Sequence, residues 1–136
     1  MGYYTVISGE IAISPHIPWD ELKTSPFIEG GATEYVEKDV ALRVVEKVTE
    51  TNEGTLTVRY ADAVIPAADD SVKAYSIVEH LQELIKLHGE GRTFTGRLDG
   101  EGEDAGDLWR LEVHDGKAVK VRPRIVWPDG TEEPQR

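Results

Sequence analysis

The amino-acid sequence predicts an α+β fold: a mainly antiparallel sheet of about six strands with one long helix packed across one face, a ferredoxin-like variant being the leading topology. Three observations carry that expectation. Residues 71–88, SVKAYSIVEHLQELIKLH, put apolar side chains at Ala74, Ile77, Val78, Leu81, Leu84 and Ile85, a spacing that gathers them into one stripe about 120° wide. On either side, runs of strand length alternate apolar and polar residues and are bounded by Gly, Asn and Asp. The order strand, short helix, two strands, long helix, three strands contains a βαββαβ pattern with a hairpin added.

Each element has its own warrant. Residues 3–13 alternate with Ile7, Ile11 and Ile13 on one face. The segment 14–27 holds three prolines, and Pro18 is placed to open a short helix through Lys23 because proline suits the first helical position. Its Pro15-His16-Ile17-Pro18 run matches a PxxP ligand in form, but without further proline-rich context it reads as a turn. Residues 29–39, acidic and glycine-containing, read as a loop. The strands 40–50 and 55–65 align their apolar faces only if a three-residue loop, Asn52-Glu53-Gly54, joins them. For the long helix, Asp69, Asp70 and Ser71 supply capping oxygens, and Lys86 and Gly89 mark its end. Three further strands follow at 93–98, 107–113 and 117–127. A three-residue turn, His114-Asp115-Gly116, would pair Leu111 with Val119 and Trp109 with Val121. Residues 1–130 therefore read as a single domain and 131–136 as a flexible polar tail.

Composition narrows the function classes. The chain of 136 residues suits one hydrophobic core. It has no apolar run near the ~20 residues of a membrane helix and no signal-peptide pattern at its start, so a cytoplasmic protein without a membrane partner is expected. The absence of cysteine removes disulfides, thiolate catalysis and Cys-based metal sites. A net charge of −11 disfavours nucleic acid as a partner, since a phosphate backbone rewards clustered Lys and Arg.

Three clusters could carry chemistry. Glu46 and Asp62 interrupt the apolar face of their hairpin; the expected register sets Glu46 opposite Tyr60 with Asp62 diagonal to it. Paired carboxylates there could act as acid and base, the alternative being that both reach water or an arginine. Arg97, Arg110, Lys120, Arg122 and Arg124, with Arg43, Lys47 and Arg59 on the first hairpin, would line the sheet face away from the helix and could hold an anion; a solvated face is the plainer reading. The loop 99–107 offers Asp99, Glu101 and Glu103 to a hard cation. Calcium-loop spacing fails there, because no glycine follows Glu103 and Arg110 stands where a closing Glu belongs. The GxGxxA match at Gly100, Gly102 and Ala105 precedes a strand and would repel pyrophosphate, so no dinucleotide cofactor is expected. His80 has no second histidine at metal-ligand spacing, and no GxSxG, GxxxxGK[ST] or HExxH motif occurs.

The segments MGYYTVISGEI, IPW, EGTLTVR, KAYSIVEHLQELI, TFTGRL, GEGEDAGDLWRLEV and VRPRIVWPDG together resemble a group of small uncharacterised proteins from actinobacteria and their phages. The likeness runs over nearly the whole chain and makes 102–110 a recurrent segment. It implies a single domain and carries no activity or site residue. The expectation is accordingly a non-catalytic accessory protein, phage-encoded or bacterial, whose partner is another protein. A small enzyme or ligand binder using Glu46 and Asp62 and an anion or nucleic-acid binder using the Arg- and Lys-lined sheet face are the alternatives.

Overall fold

The computed structural model describes residues 2–28, 38–68 and 71–134. Among the described residues there are seven strands and two short helices: β1 (Thr5–Pro18), α1 (Trp19–Leu22), β2 (Val40–Thr51), β3 (Gly54–Pro66), β4 (Ser71–Val72), α2 (Ile77–His88), β5 (Thr93–Gly102), β6 (Leu108–His114) and β7 (Lys117–Val121). They make one sheet in the order β2-β3-β1-β5-β6-β7, with β4 added to β1. Every pairing is antiparallel. The balance is thus mainly β, with fewer helical residues than the α+β expectation required.

The long helix is the main correction. Its stripe is real, since Ile77, Leu81, Leu84 and Ile85 are buried, but α2 has twelve residues and starts at Ile77. Ser71 and Val72 pair instead with Val6 and Thr5, and Ala74 has φ of 51°, which no α-helix accommodates. The expected caps at 69 and 70 lie outside the described residues. A carboxylate distant in sequence takes that role: Ser76 N–H donates to Asp39 Oδ2 at 3.1 Å. Ladder pairing and a tertiary cap have overridden local signals. The other end is as expected, Gly89 N–H closing on the Ile85 carbonyl at 2.7 Å.

Both hairpin turns also differ by one residue. Thr51 pairs with Gly54, so two residues rather than three form the first turn, and Thr51 Oγ1 braces it by donating to the Gly54 carbonyl at 2.8 Å. A bulge at Asp62 then restores the register of the buried end, where Leu42 faces Val64. Outside the bulge the two apolar sets fall on opposite faces, which leaves Val48, Leu56 and Val58 exposed. In the second hairpin Asp115 (φ 51°) and Gly116 (φ 75°) form the two-residue turn that needs both φ positive. Leu111 therefore faces Lys120, and Arg110 faces Val121.

The core lies between the helix side of the sheet and α2. It joins Ile7, Ile11, Ile13 and Ile17 of β1 with Leu22, Phe27 and Ile28, the α2 stripe, and Leu98, Trp109 and Leu111. At Gly100 a Cβ would come within 2.1 Å of the Trp109 ring, so only glycine lets that indole lie flat on β5. Of the two sheet edges, β7 is covered where it begins: Gln82 of α2 accepts from Ala118 N–H at 2.9 Å and donates to the Gly116 carbonyl at 3.2 Å. This side-chain amide occupies ladder groups that would otherwise invite another strand.

Candidate functional site

A groove forms where β6 and β7 end and the chain doubles back. Pro123, lacking an N–H, cannot continue the ladder, and residues 125–133 fold into a small hairpin. Val126 bridges Glu132, Trp127 N–H donates to the Thr131 carbonyl at 2.7 Å, and Arg124 meets Glu132 through two bonds of 3.0 and 2.9 Å. Residues 131–133 are thus bonded into this hairpin. Between the hairpin and the β5–β6 turn lies a concavity of about 330 Å³, walled by Leu108, Pro123, Ile125, Trp127 and Gly106. A second, of about 300 Å³, shares Leu108, Arg122 and Pro123 with it and extends to Val121, Arg110 and Asp99. Its apolar walls are open to solvent, Leu108 being 43% and Trp127 53% exposed.

The frame of the groove is a buried carboxylate. Asp107, 9% exposed, accepts the Tyr3 hydroxyl at 2.6 Å and Arg122 at 2.9 Å, while the Tyr3 oxygen itself accepts from Asp104 N–H at 2.8 Å. One side chain thereby joins the N-terminal segment, the β5–β6 turn and the exit from β7. Desolvation and the Asp107 hydrogen bond hold the Tyr3 phenol above its ordinary pKa, so it remains a donor. On the outer hairpin, Trp127 Nε1 donates to Glu133 at 2.7 Å, which orients the indole.

The residues singled out in the sequence are distributed as follows. Glu46 pairs across the ladder with Arg59 rather than Tyr60 and lies 3.9 Å from its guanidinium. Asp62 is held by Arg43 through bonds of 2.8 and 3.1 Å, and Arg43 also grips Glu10. The two carboxylates thus take separate arginines. The basic residues do not share one face. Arg97 and Arg110 flank Asp99, at 3.2 and 3.4 Å; Arg122 and Arg124 are taken by Asp107 and Glu132. Lys120, paired with buried Leu111, lies on the helix side, its Nζ 4.7 Å from the centre of the Trp109 ring. Burial, then the nearby Arg122, lowers its pKa. The expected loop 99–107 is shorter, since β5 runs to Gly102. Asp99 and Glu101 stand on that strand and Glu103 just beyond it, and no group of three metal-ligating side chains forms among the described residues.

A buried polar chain escaped the sequence reading. Ser25 Oγ lies 3.0 Å from His88 Nε2, and His88 Nδ1 lies 2.8 Å from Glu21 Oε2. Arg92 closes the chain on both Glu21 oxygens at 3.0 and 3.2 Å. His88 Nδ1 faces the Glu21 carboxylate, an acceptor, and so carries a ring proton, which in the neutral ring leaves Nε2 to accept from the Ser25 hydroxyl, while Phe27 N–H donates to Ser25 Oγ. Burial opposes ionisation of Glu21, but the hydrogen bonds from His88 and Arg92 outweigh it and keep its pKa below the ordinary value. The order nucleophile, base, orienting carboxylate is that of a hydrolytic triad. Ser25, however, is only 3% exposed and lines neither of these concavities; the chain ties the end of α1 to the end of α2. The signal for it was present: His88 continues the buried series 77, 81, 84, 85 by one further step of three.

No curated protein and no solved structure matches the chain. A family model does, over residues 1–136, in keeping with the resemblance drawn from its segments, and the chain belongs to that family of unknown function, DUF6205.

Proposed function

We propose that this protein is a non-catalytic interaction module that docks another protein in the groove between the β5–β6 turn and the C-terminal hairpin. The observation that carries this reading is the groove itself: Leu108, Ile125 and Trp127 stay open to solvent on a braced concave frame, whereas Glu46 and Asp62 face separate arginines. An aromatic and aliphatic cluster set in a pocket is what interface anchors use. The cytoplasm as location and actinobacteria or their phages as source belong to this reading, as does a ferredoxin-like variant for the body. The strand order β2-β3-β1-β5, with α1 and α2 in the two connections, supports the last. The test is affinity capture from host lysate with the wild-type chain and with Trp127→Ala and Leu108→Ser. A stoichiometric protein partner lost from both variants is expected. Recovery unchanged by either substitution, or abolished by nuclease, overturns the reading.

A further inference from the structure

The charges around the groove bear on what it takes. Its near cations are spent: Arg110, Arg122 and Arg124 lie 3.4, 2.9 and 2.9 Å from Asp99, Asp107 and Glu132. The carboxylates on its two banks are not. Glu101 of β5 pairs across the ladder with Leu108, with Glu103 two residues further along the chain, and Glu133 lines the groove from the hairpin, whose turn carries Asp129. Among the described residues no cation lies within ion-pair distance of these four. Hydrogen bonds from Thr131 hold the Asp129 carboxyl below its ordinary pKa, so its charge is permanent at neutral pH. Lys120 points to the opposite side of the sheet from Val121 and Leu108 and rests on Trp109, and Lys73 lies over the Tyr4 ring, 5.9 Å from its centre. An apolar floor thus runs between two negative banks, in a chain whose net charge is −11.

We infer that the segment this groove takes is a cationic one: an extended stretch of a partner protein with one or two apolar side chains seated on Leu108, Ile125 and Trp127, and Lys or Arg on either side. A volume of about 330 Å³ is at the small end of ligand pockets, which suits a few side chains of a linear segment. The banks add attraction that steers the segment in and screens with salt. An acidic segment would meet like charge on both sides.

The inference rests on the docking reading, and selection of random peptides displayed against the intact chain separates the two. Peptides enriched on the wild type and not on Trp127→Ala or Leu108→Ser are expected, with Lys and Arg in excess over the starting library. A selected peptide should bind more weakly in about 0.5 M salt. Glu101→Gln and Glu133→Gln, which keep shape and hydrogen bonding, should each weaken it about two- to five-fold. Groove-dependent peptides with no excess of Lys or Arg would overturn the cationic inference alone. No groove-dependent enrichment would overturn the docking reading and this inference with it.

Discussion

Removing the His88 ring tests whether the buried polar chain holds the fold. In His88→Ala the fold loses two hydrogen bonds, to Ser25 at 3.0 Å and to Glu21 at 2.8 Å, at about 1 kcal/mol each. The Ser25 hydroxyl, buried and deprived of its acceptor, adds about 1–3 kcal/mol. Glu21 keeps Arg92 and adds little. The sum, about 3–5 kcal/mol, is a third or more of the stability usual for a domain of this size, and corresponds to a melting temperature lower by about 10–20 °C. Urea unfolding at neutral pH should show a lower midpoint at unchanged slope. A double-mutant cycle with Ser25→Ala sharpens the test. In the His88→Ala background, removing the stranded hydroxyl should cost about 1–2 kcal/mol less than in the wild type, or even stabilise. A loss below about 1 kcal/mol for His88→Ala, or additive behaviour of the two substitutions, would refute the assignment.

Three other outcomes follow from the geometry. Gln82→Ala removes the amide that covers the first residues of β7; it should cost about 1 kcal/mol, since both bonds are exposed, and raise concentration-dependent self-association in light scattering. Stability and association both unchanged would show that the edge needs no cover. Gly100→Ala drives a methyl into the Trp109 ring, and about 2–3 kcal/mol should be lost with a change in indole fluorescence; a loss under about 0.5 kcal/mol would mean the ring moves freely. The pKa of Glu21 is lower folded than its ordinary 4.5, so its ionised form stabilises the fold above that pH, and the contribution disappears as pH falls through the depressed folded value. The gap in urea midpoint between wild type and Glu21→Gln should therefore be full at neutral pH and narrow as the pH falls below the ordinary 4.5 and through the depressed folded value; a gap constant with pH would remove Glu21 from the acid response.

How far the residues themselves foretold this structure depends on the range of the interaction concerned. The core stripe of α2, the helical turn after Pro18 and the β2–β3 and β6–β7 hairpins follow from side-chain periodicity and from proline and glycine chemistry, which act within a few residues. The start of α2 does not, because the N–H of its N-cap residue, Ser76, is answered by Asp39 and its expected first turn is drawn into pairing with β1. The chain Ser25, His88, Glu21, Arg92 joins positions up to 71 apart, and no local pattern announces such a meeting beyond the phase of His88 on the helix.

The register of the second hairpin had the largest effect on the candidate site. With a three-residue turn, Val119 and Val121 would have packed inward beside Leu111 and Trp109, and Lys120 would have joined an open basic face. The two-residue Asp115-Gly116 turn reverses every side chain of β7. Lys120 goes inward, where its stem covers Trp109 and its ammonium faces the ring. Val121 goes outward and becomes a wall of the groove, next to Leu108. One residue of turn length thus decides between a surface for anions and an apolar groove with acidic banks. The chemistry of the turn makes the choice: at neighbouring positions with φ of 51° and 75°, Asp-Gly is among the pairs that bear the left-handed conformation at least cost. Changing Gly116 to a β-branched residue should accordingly disturb the groove some distance away, through the register of β7, before it disturbs the core.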